Sequence, residues 1–153
     1  MEATPRQYWE AWENDDGTHT VHWGILGRTG DSKRVKRRLL RRPERIIQTE
    51  ADSRVHEGFK TIDIDEHHVL IVEYAVDGFG GSLDLDKRHR LEDRMNETLG
   101  WTGLGHCDGG SIGSGTMEVC CYVVDYAIAK SVIESDLKET EFADYTSIYD
   151  EGA

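Results

Sequence analysis

Proline is scarce in this chain: Pro5 and Pro43 are the only two among 153 residues. That excludes collagen-like and proline-rich architectures. Cysteine is scarce too, at Cys107, Cys120 and Cys121, too few for a disulfide-dense scaffold. No stretch of about 18 apolar residues occurs, so the sequence offers no membrane-spanning helix. The opening MEATPRQYW lacks the basic-then-apolar layout of a secretory signal, and a soluble, cytoplasmic protein is expected. The cysteines follow the same reasoning. Adjacent strand residues point to opposite faces, so Cys120 and Cys121 do not pair with each other. Cys107 can meet either of them across a hairpin. In a cytoplasmic setting the expectation is reduced thiols, packed as small buried hydrophobes.

What is present is a globular composition, 37% hydrophobic and 31% charged, of a length that suits one ordinary domain or two small ones. The net charge of -12 argues against general nucleic-acid binding. Its distribution says something else. Residues 28–45 hold Arg28, Lys33, Arg34, Lys36, Arg37, Arg38, Arg41, Arg42 and Arg45, nine of the eighteen basic residues, against Asp31 and Glu44. The segment therefore carries +7 and the rest of the chain -19, an asymmetry that points to an interface or to internal neutralisation.

Along the chain, residues 7–13 alternate as a strand, Asn14-Asp15-Asp16-Gly17 is a tight-turn signal, and residues 18–26 return as a second strand. Gly27-Arg28-Thr29-Gly30 turns again, and a third, polar edge strand is expected over residues 33–38. Pro43 suits the first turn of a helix, with Ile46, Ile47, Ala51, Arg54 and Val55 as a partial stripe up to Gly58. The acidic stretch 61–66 reads as a joint. Residues 68–76 form an apolar strand. A helix capped by Ser82 or Asp84 follows and carries Leu85, Leu91, Met95 and Leu99 on one face. Residues 101–115 hold six glycines and the next strand, and residues 117–124 another. Asp125 caps a helix with Ile128, Val132, Ile133 and Leu137 inward, and residues 142–149 supply the last strand. The fold expected is α+β: residues 1–62 a three-stranded antiparallel sheet plus helix, residues 63–153 a ferredoxin-like βαββαβ module. In that module two helices cover one sheet face, and the other face is free to meet the N-terminal part.

The first part resembles a WGR domain, a module named for a Trp-Gly-Arg signature on its central strand. Tyr8 and Trp9 match its first strand, His22-Trp23-Gly24-Ile25-Leu26-Gly27-Arg28-Thr29-Gly30 its signature region, and Gly58-Phe59 its closing Gly-aromatic pair. The likeness covers residues 7–60. It implies that Trp23 stacks on a sugar or base, as WGR domains of poly(ADP-ribose) polymerases help contact broken DNA ends. The signature arginine is Ile25 here, so that residue's role does not carry over, and no polymerase domain is present. The second part is similar to small bacterial proteins with a Leu-Gly, Asp-Gly-Gly, Gly-Ser-Gly run, here Leu104-Gly105, Asp108-Gly109-Gly110 and Gly113-Ser114-Gly115. More loosely it is similar to a ferredoxin-like inhibitor of ribonuclease E and to immunity-type proteins, which implies protein binding.

Two binding surfaces follow from these residues. Trp23, Arg28, Lys33, Arg34, Lys36, Arg37 and Arg38 are candidates for contact with nucleic acid, through phosphate neutralisation and aromatic stacking. His106 and Asp108 in the glycine-rich loop are candidates for recognition of a partner. The competing reading has the basic residues paired with the acidic remainder. Trp9, Trp12 and Trp101 are expected in the core, with Trp23 reaching solvent. His106, Cys107, Asp108, Cys120, His67 and His68 match no metal-binding spacing, and the glycine-rich loop lacks both the lysine of a P-loop and a Gly-x-Gly-x-x-Gly turn. His106 and Cys107, as strand neighbours, point apart and make no catalytic pair. The expectation is a non-catalytic bacterial adaptor, inhibitor or immunity-type protein without metal or cofactor. It acts on a protein partner, with binding to nucleic acid or nucleotide as the alternative.

Overall fold

In the computed structural model, which describes residues 4–153, two antiparallel sheets and three α-helices make a mixed α+β chain. The first sheet is a meander of β1 (Gln7–Glu13), β2 (His19–Ile25) and β3 (Asp31–Val35). The β1–β2 turn works because Gly17 adopts a φ of 75°, a left-handed conformation that glycine reaches without a Cβ clash. Its flank is tied by Asn14 Nδ2 donating to the Thr18 and Thr20 hydroxyls at 3.0 Å. Register puts Trp9 opposite Trp23, Ala11 opposite Val21 and Lys33 opposite Val21. Trp9, Val21, Trp23 and Lys33 therefore share one face, and Tyr8, Glu10, Trp12 and His22 the other.

β3 begins and ends earlier than the sequence suggests. Its last pair is Val35 with His19, the first residue of β2, so Lys36 onward has no strand left to bond. Lys36, Arg37 and Arg38 consequently leave the sheet as an arm that leads to α1 (Pro43–His56). α1 begins at Pro43, whose missing N–H costs nothing there.

The second sheet runs β5-β6-β4-β7, all neighbours antiparallel, from β4 (His68–Ala75), β5 (Gly105–Gly113), β6 (Thr116–Val123) and β7 (Ser147–Asp150). α2 (Ser82–Gly100) follows β4 and α3 (Tyr126–Leu137) follows β6, in the expected element order. The Asp84 carboxylate accepts from the Gly81 N–H at 2.8 Å, and Asp125 caps α3 by accepting from the Ile128 N–H at 3.0 Å. Leu70, Val72, Tyr74, Met117, Val119, Cys121 and Val123 line one sheet face and pack on Leu91, Met95 and Leu99 of α2 and Ala129, Ile133 and Leu137 of α3. Full burial of each large apolar side chain contributes about 1.5–3 kcal/mol. Leu85 lies outside this layer and is exposed. β7 is shorter than expected because Phe142 closes the core from the turn after α3, where its carbonyl accepts from Tyr74 Oη at 2.8 Å.

The N-terminal sheet does not cover the open face of the second sheet, as the sequence led us to expect. Tyr8 and Leu26 join the core at the end of the helix layer, where α2 finishes and α3 starts. There the Gly27 N–H donates to Thr102 O at 3.0 Å and Gly103 lies against the Tyr8 ring. Among the described residues no helix or strand packs across the open face. At the junction His22 is fully buried between Tyr8 and Glu10. Glu10 Oε1 lies 2.7 Å from its Nδ1 and the Tyr8 hydroxyl 2.9 Å from its Nε2, and that hydroxyl also donates to the Arg28 carbonyl at 3.3 Å. Trp12 and Trp101 close over this histidine edge-on, with centroids 6.0 and 5.2 Å from its ring. They are 38% and 42% exposed, a correction to the core positions expected of them: their rings shield a polar cluster on one side and meet solvent on the other.

The thiols also need correction. Cys107 and Cys121 face each other across β5 and β6 and form a disulfide, with Cα atoms 4.0 Å apart, and Cys120 alone is free. The register brings Cys107 and Cys121 together on the helix-facing side and turns Cys120 away.

Candidate nucleic-acid interface

The basic residues divide by position. Lys33 lies on the α1 side of the first sheet, its ammonium 5.9 Å from the centroid of Trp23 and paired with Glu50 of α1. Trp23 is half-buried, held between that ammonium and a slot of about 170 Å³ that Trp9, Arg54 and Phe59 also line. The slot opens into a cleft of about 450 Å³ between β1 and the chain that follows α1, with Tyr8, Trp9, Phe59, Arg6 and Lys60 on its walls. Aromatic faces beside cations form a surface on which a base can stack. The Gly58-Phe59 pair is thus what closes the Trp23 slot. Arg34 points to the other side of the sheet and reaches Asp16 at 3.5 Å. The Asp16 carboxyl is held below its usual range by the hydroxyl and N–H of Thr18, with Arg34 acting in the same sense.

Arg28 stands apart. It is exposed in the β2–β3 turn, at the opposite end of the hairpin from Lys36. Five strand residues separate the two ends, a span of about 17 Å. The structure therefore does not bring Arg28 to the arm, and the candidate set splits into Trp23 with Lys33, the arm itself, and Arg28 at the far end.

The arm is the concentrated part. Arg38 and Arg41 bond each other's backbones in both directions at 3.2 Å, which makes Arg38-Leu39-Leu40-Arg41 a tight turn. Leu39 and Leu40 occupy its tip at 102% and 93% exposure. Lys36, Arg37, Arg38, Arg41 and Arg42 surround them, all exposed. Ion pairing distinguishes this segment from the rest of the molecule. Of its nine basic residues only Lys33 and Arg34 have a carboxylate within 4.0 Å among the described residues. Of the nine basic residues elsewhere, seven do: Arg6, Arg54, Lys87, Arg88, Arg90, Arg94 and Lys130. Internal neutralisation, the competing reading of the sequence, thus accounts for the scattered cations and not for the arm. Arg41 and Arg42 belong to the basic stretch 28–45 that the sequence offers as a phosphate-contacting surface, whereas Leu39 and Leu40 were missing from the sequence-derived site. The signal for them was there, in a run of basic pairs on both sides of Leu39-Leu40 with a helix-starting proline behind.

His106 and Asp108 lie on β5, both exposed. His106 stacks on Tyr122 at 5.6 Å and 27°, on the face away from the helices. Cys107 is turned inward and bonded to Cys121, so histidine and thiol do not meet. Asp108 adjoins a bulge at which Gly109 adopts a φ of 84°. The open face continues through Glu118, which accepts from Ser111 and Tyr149 at 3.2 Å, to Glu73. Burial pushes the Cys120 thiol up, and the charges of Glu151, Asp108 and Glu118 push it the same way. None of these carboxylates has a lysine or arginine partner among the described residues. The molecule thus presents one unneutralised basic arm and one unneutralised acidic sheet face. Comparison of the chain with family models, with curated proteins and with solved structures yields no match.

Proposed function

We propose that this is a non-catalytic nucleic-acid-binding protein whose first part is a WGR-like module and whose second part is a ferredoxin-like module. In this reading the arm of Lys36, Arg37, Arg38, Arg41 and Arg42 contacts phosphates, and Trp23 with Lys33 offers a stacking face alongside. The observation that carries it is the absence, among the described residues, of carboxylate partners for the arm in a chain of net charge -12, whose other cations are mostly paired. Exposed guanidinium groups with no internal partner release counterions when they meet phosphate, and this supplies affinity.

A second reading is supported by the open sheet face. Glu73, Asp108, Glu118 and Glu151 around Tyr122 and Tyr149 suit a basic protein partner, as expected of an inhibitor or immunity-type protein. The two readings separate by fluorescence anisotropy with labelled duplex and single-stranded oligonucleotides. Wild type binds and Arg37→Glu with Arg38→Glu does not, while Glu73→Lys with Glu118→Lys leaves binding unchanged or stronger. Wild-type protein that leaves the anisotropy of both oligonucleotides unchanged at low salt sinks the nucleic-acid reading.

A further inference from the structure

We infer that the Leu39–Leu40 tip is a wedge that enters the minor groove of duplex DNA and opens a base step, with the flanking arginines fixed on the phosphates of both strands. This rests on the nucleic-acid reading above and adds to it the form of the ligand and the manner of contact. Three observations support it. Leu39 and Leu40 are the most exposed large apolar side chains of the described residues, and nothing in the fold requires them there, since a two-residue turn accepts small polar residues more readily. The turn is closed by backbone bonds in both directions between Arg38 and Arg41, so the two side chains stand on a short fixed support rather than a loose loop. The cations are disposed symmetrically, with Arg37 and Arg38 before the leucines and Arg41 and Arg42 after them. One pair can thus lie along each strand while the tip is between them.

Proteins that unstack a base step from the minor groove combine these elements, an apolar wedge and arginines that follow the narrow groove, and they kink the duplex by about 20–90°. A two-residue turn is narrow enough for a groove about 6 Å wide, which does not admit a helix. An anionic lipid surface would also attract the arginines. Two leucines give it little apolar area to hold.

The test uses a duplex of about 20 base pairs with a flexible central TA step, carrying donor and acceptor dyes at its two ends. Wild type is expected to raise energy transfer at saturation, as a kink brings the ends together. Leu39→Ala with Leu40→Ala, whose exposed positions leave the fold intact by circular dichroism, should bind about tenfold more weakly and leave energy transfer unchanged at saturation. Arg37→Glu with Arg38→Glu should abolish binding. Duplex binding without a change in transfer, or a change that survives in the double-alanine variant, overturns the wedge and leaves the nucleic-acid reading standing. Failure of wild type to bind the duplex overturns the wedge, and failure to bind single strands as well overturns the nucleic-acid reading with it. Leucine-dependent sedimentation with phosphatidylserine vesicles in the absence of duplex binding likewise overturns the wedge.

Discussion

Tyr74 is buried on the helix-covered face, donates to the Phe142 carbonyl at 2.8 Å, and has the Lys87 ammonium 4.6 Å from its ring centroid. Burial, then the charge of Asp144, raises its phenol above the ordinary value of 10.0. A raised pKa means that folding favours the neutral phenol. Its contribution is complete below pH 10 and is lost as pH climbs through the folded value. Urea unfolding of Tyr74→Phe is expected to show a loss of about 1–2 kcal/mol at pH 7. The fall in stability above pH 10 should be shallower than in wild type, and an identical alkaline fall would contradict this account. His22 is held just as closely. His22→Ala takes one partner from the Tyr8 hydroxyl, which keeps the Arg28 carbonyl at 3.3 Å, and opens a void under Trp12 and Trp101, a cost of about 2–3 kcal/mol, to be read from denaturant midpoints and from altered tryptophan emission. The alternation that places Tyr8, Glu10 and Trp12 on one face was legible in the sequence. Which face would be buried was not, because each mixes aromatic and charged residues and only the docking against Gly103 and Thr102 decides it.

At the scale of elements, the helices and the apolar strands were the legible part. Pro43 and Asp125 mark starts through local chemistry, and Leu91, Met95 and Leu99 mark an inward face through spacing; the cap of α2, expected at Ser82 or Asp84, is Gly81, whose N–H donates to Asp84. The end of β3 was not legible, because it depends on where β2 runs out of residues. β7 likewise begins only after Phe142 has closed the core. The cysteines show the same division. Opposite faces for Cys120 and Cys121 follow from strand geometry alone, whereas the Cys107–Cys121 bond needs the β5–β6 register. Thiol titration in denaturant without reductant should return one thiol per chain, Cys120, and three after reduction. Three without reduction would restore the reduced state expected from the sequence. The bond spans 14 residues, and reducing it should lower stability by about 3 kcal/mol. In the folded protein Cys120, half-buried and with its thiol pushed up by burial, should react with thiol reagents more slowly than a free cysteine.

At the scale of the whole molecule, the feature that needs explanation is charge segregation. A chain with 30 acidic residues has carboxylates to neutralise every cation, and it does so for seven of the nine outside residues 28–45. Among the described residues no carboxylate lies within 4.0 Å of an arm cation; Glu50 of α1, which lines a cavity with Lys36, Arg38 and Arg41, is taken by Lys33. The asymmetry was visible in the sequence, but its exposure was not, because pairing between charges far apart in sequence depends on tertiary contacts. Arg28, counted with the arm on sequence proximity, is separated from it by the length of a strand. Segregation of this kind leaves the arm free for an external anion while the -19 remainder opposes loose adsorption. The most direct measurement is the salt dependence of duplex affinity. If the five arm cations neutralise phosphates, log K against log salt should fall with a slope of about -4 to -5 for wild type, and about two units less for Arg37→Gln with Arg38→Gln. A slope near zero, or the same slope in both proteins, would contradict the claim that the arm is the interface.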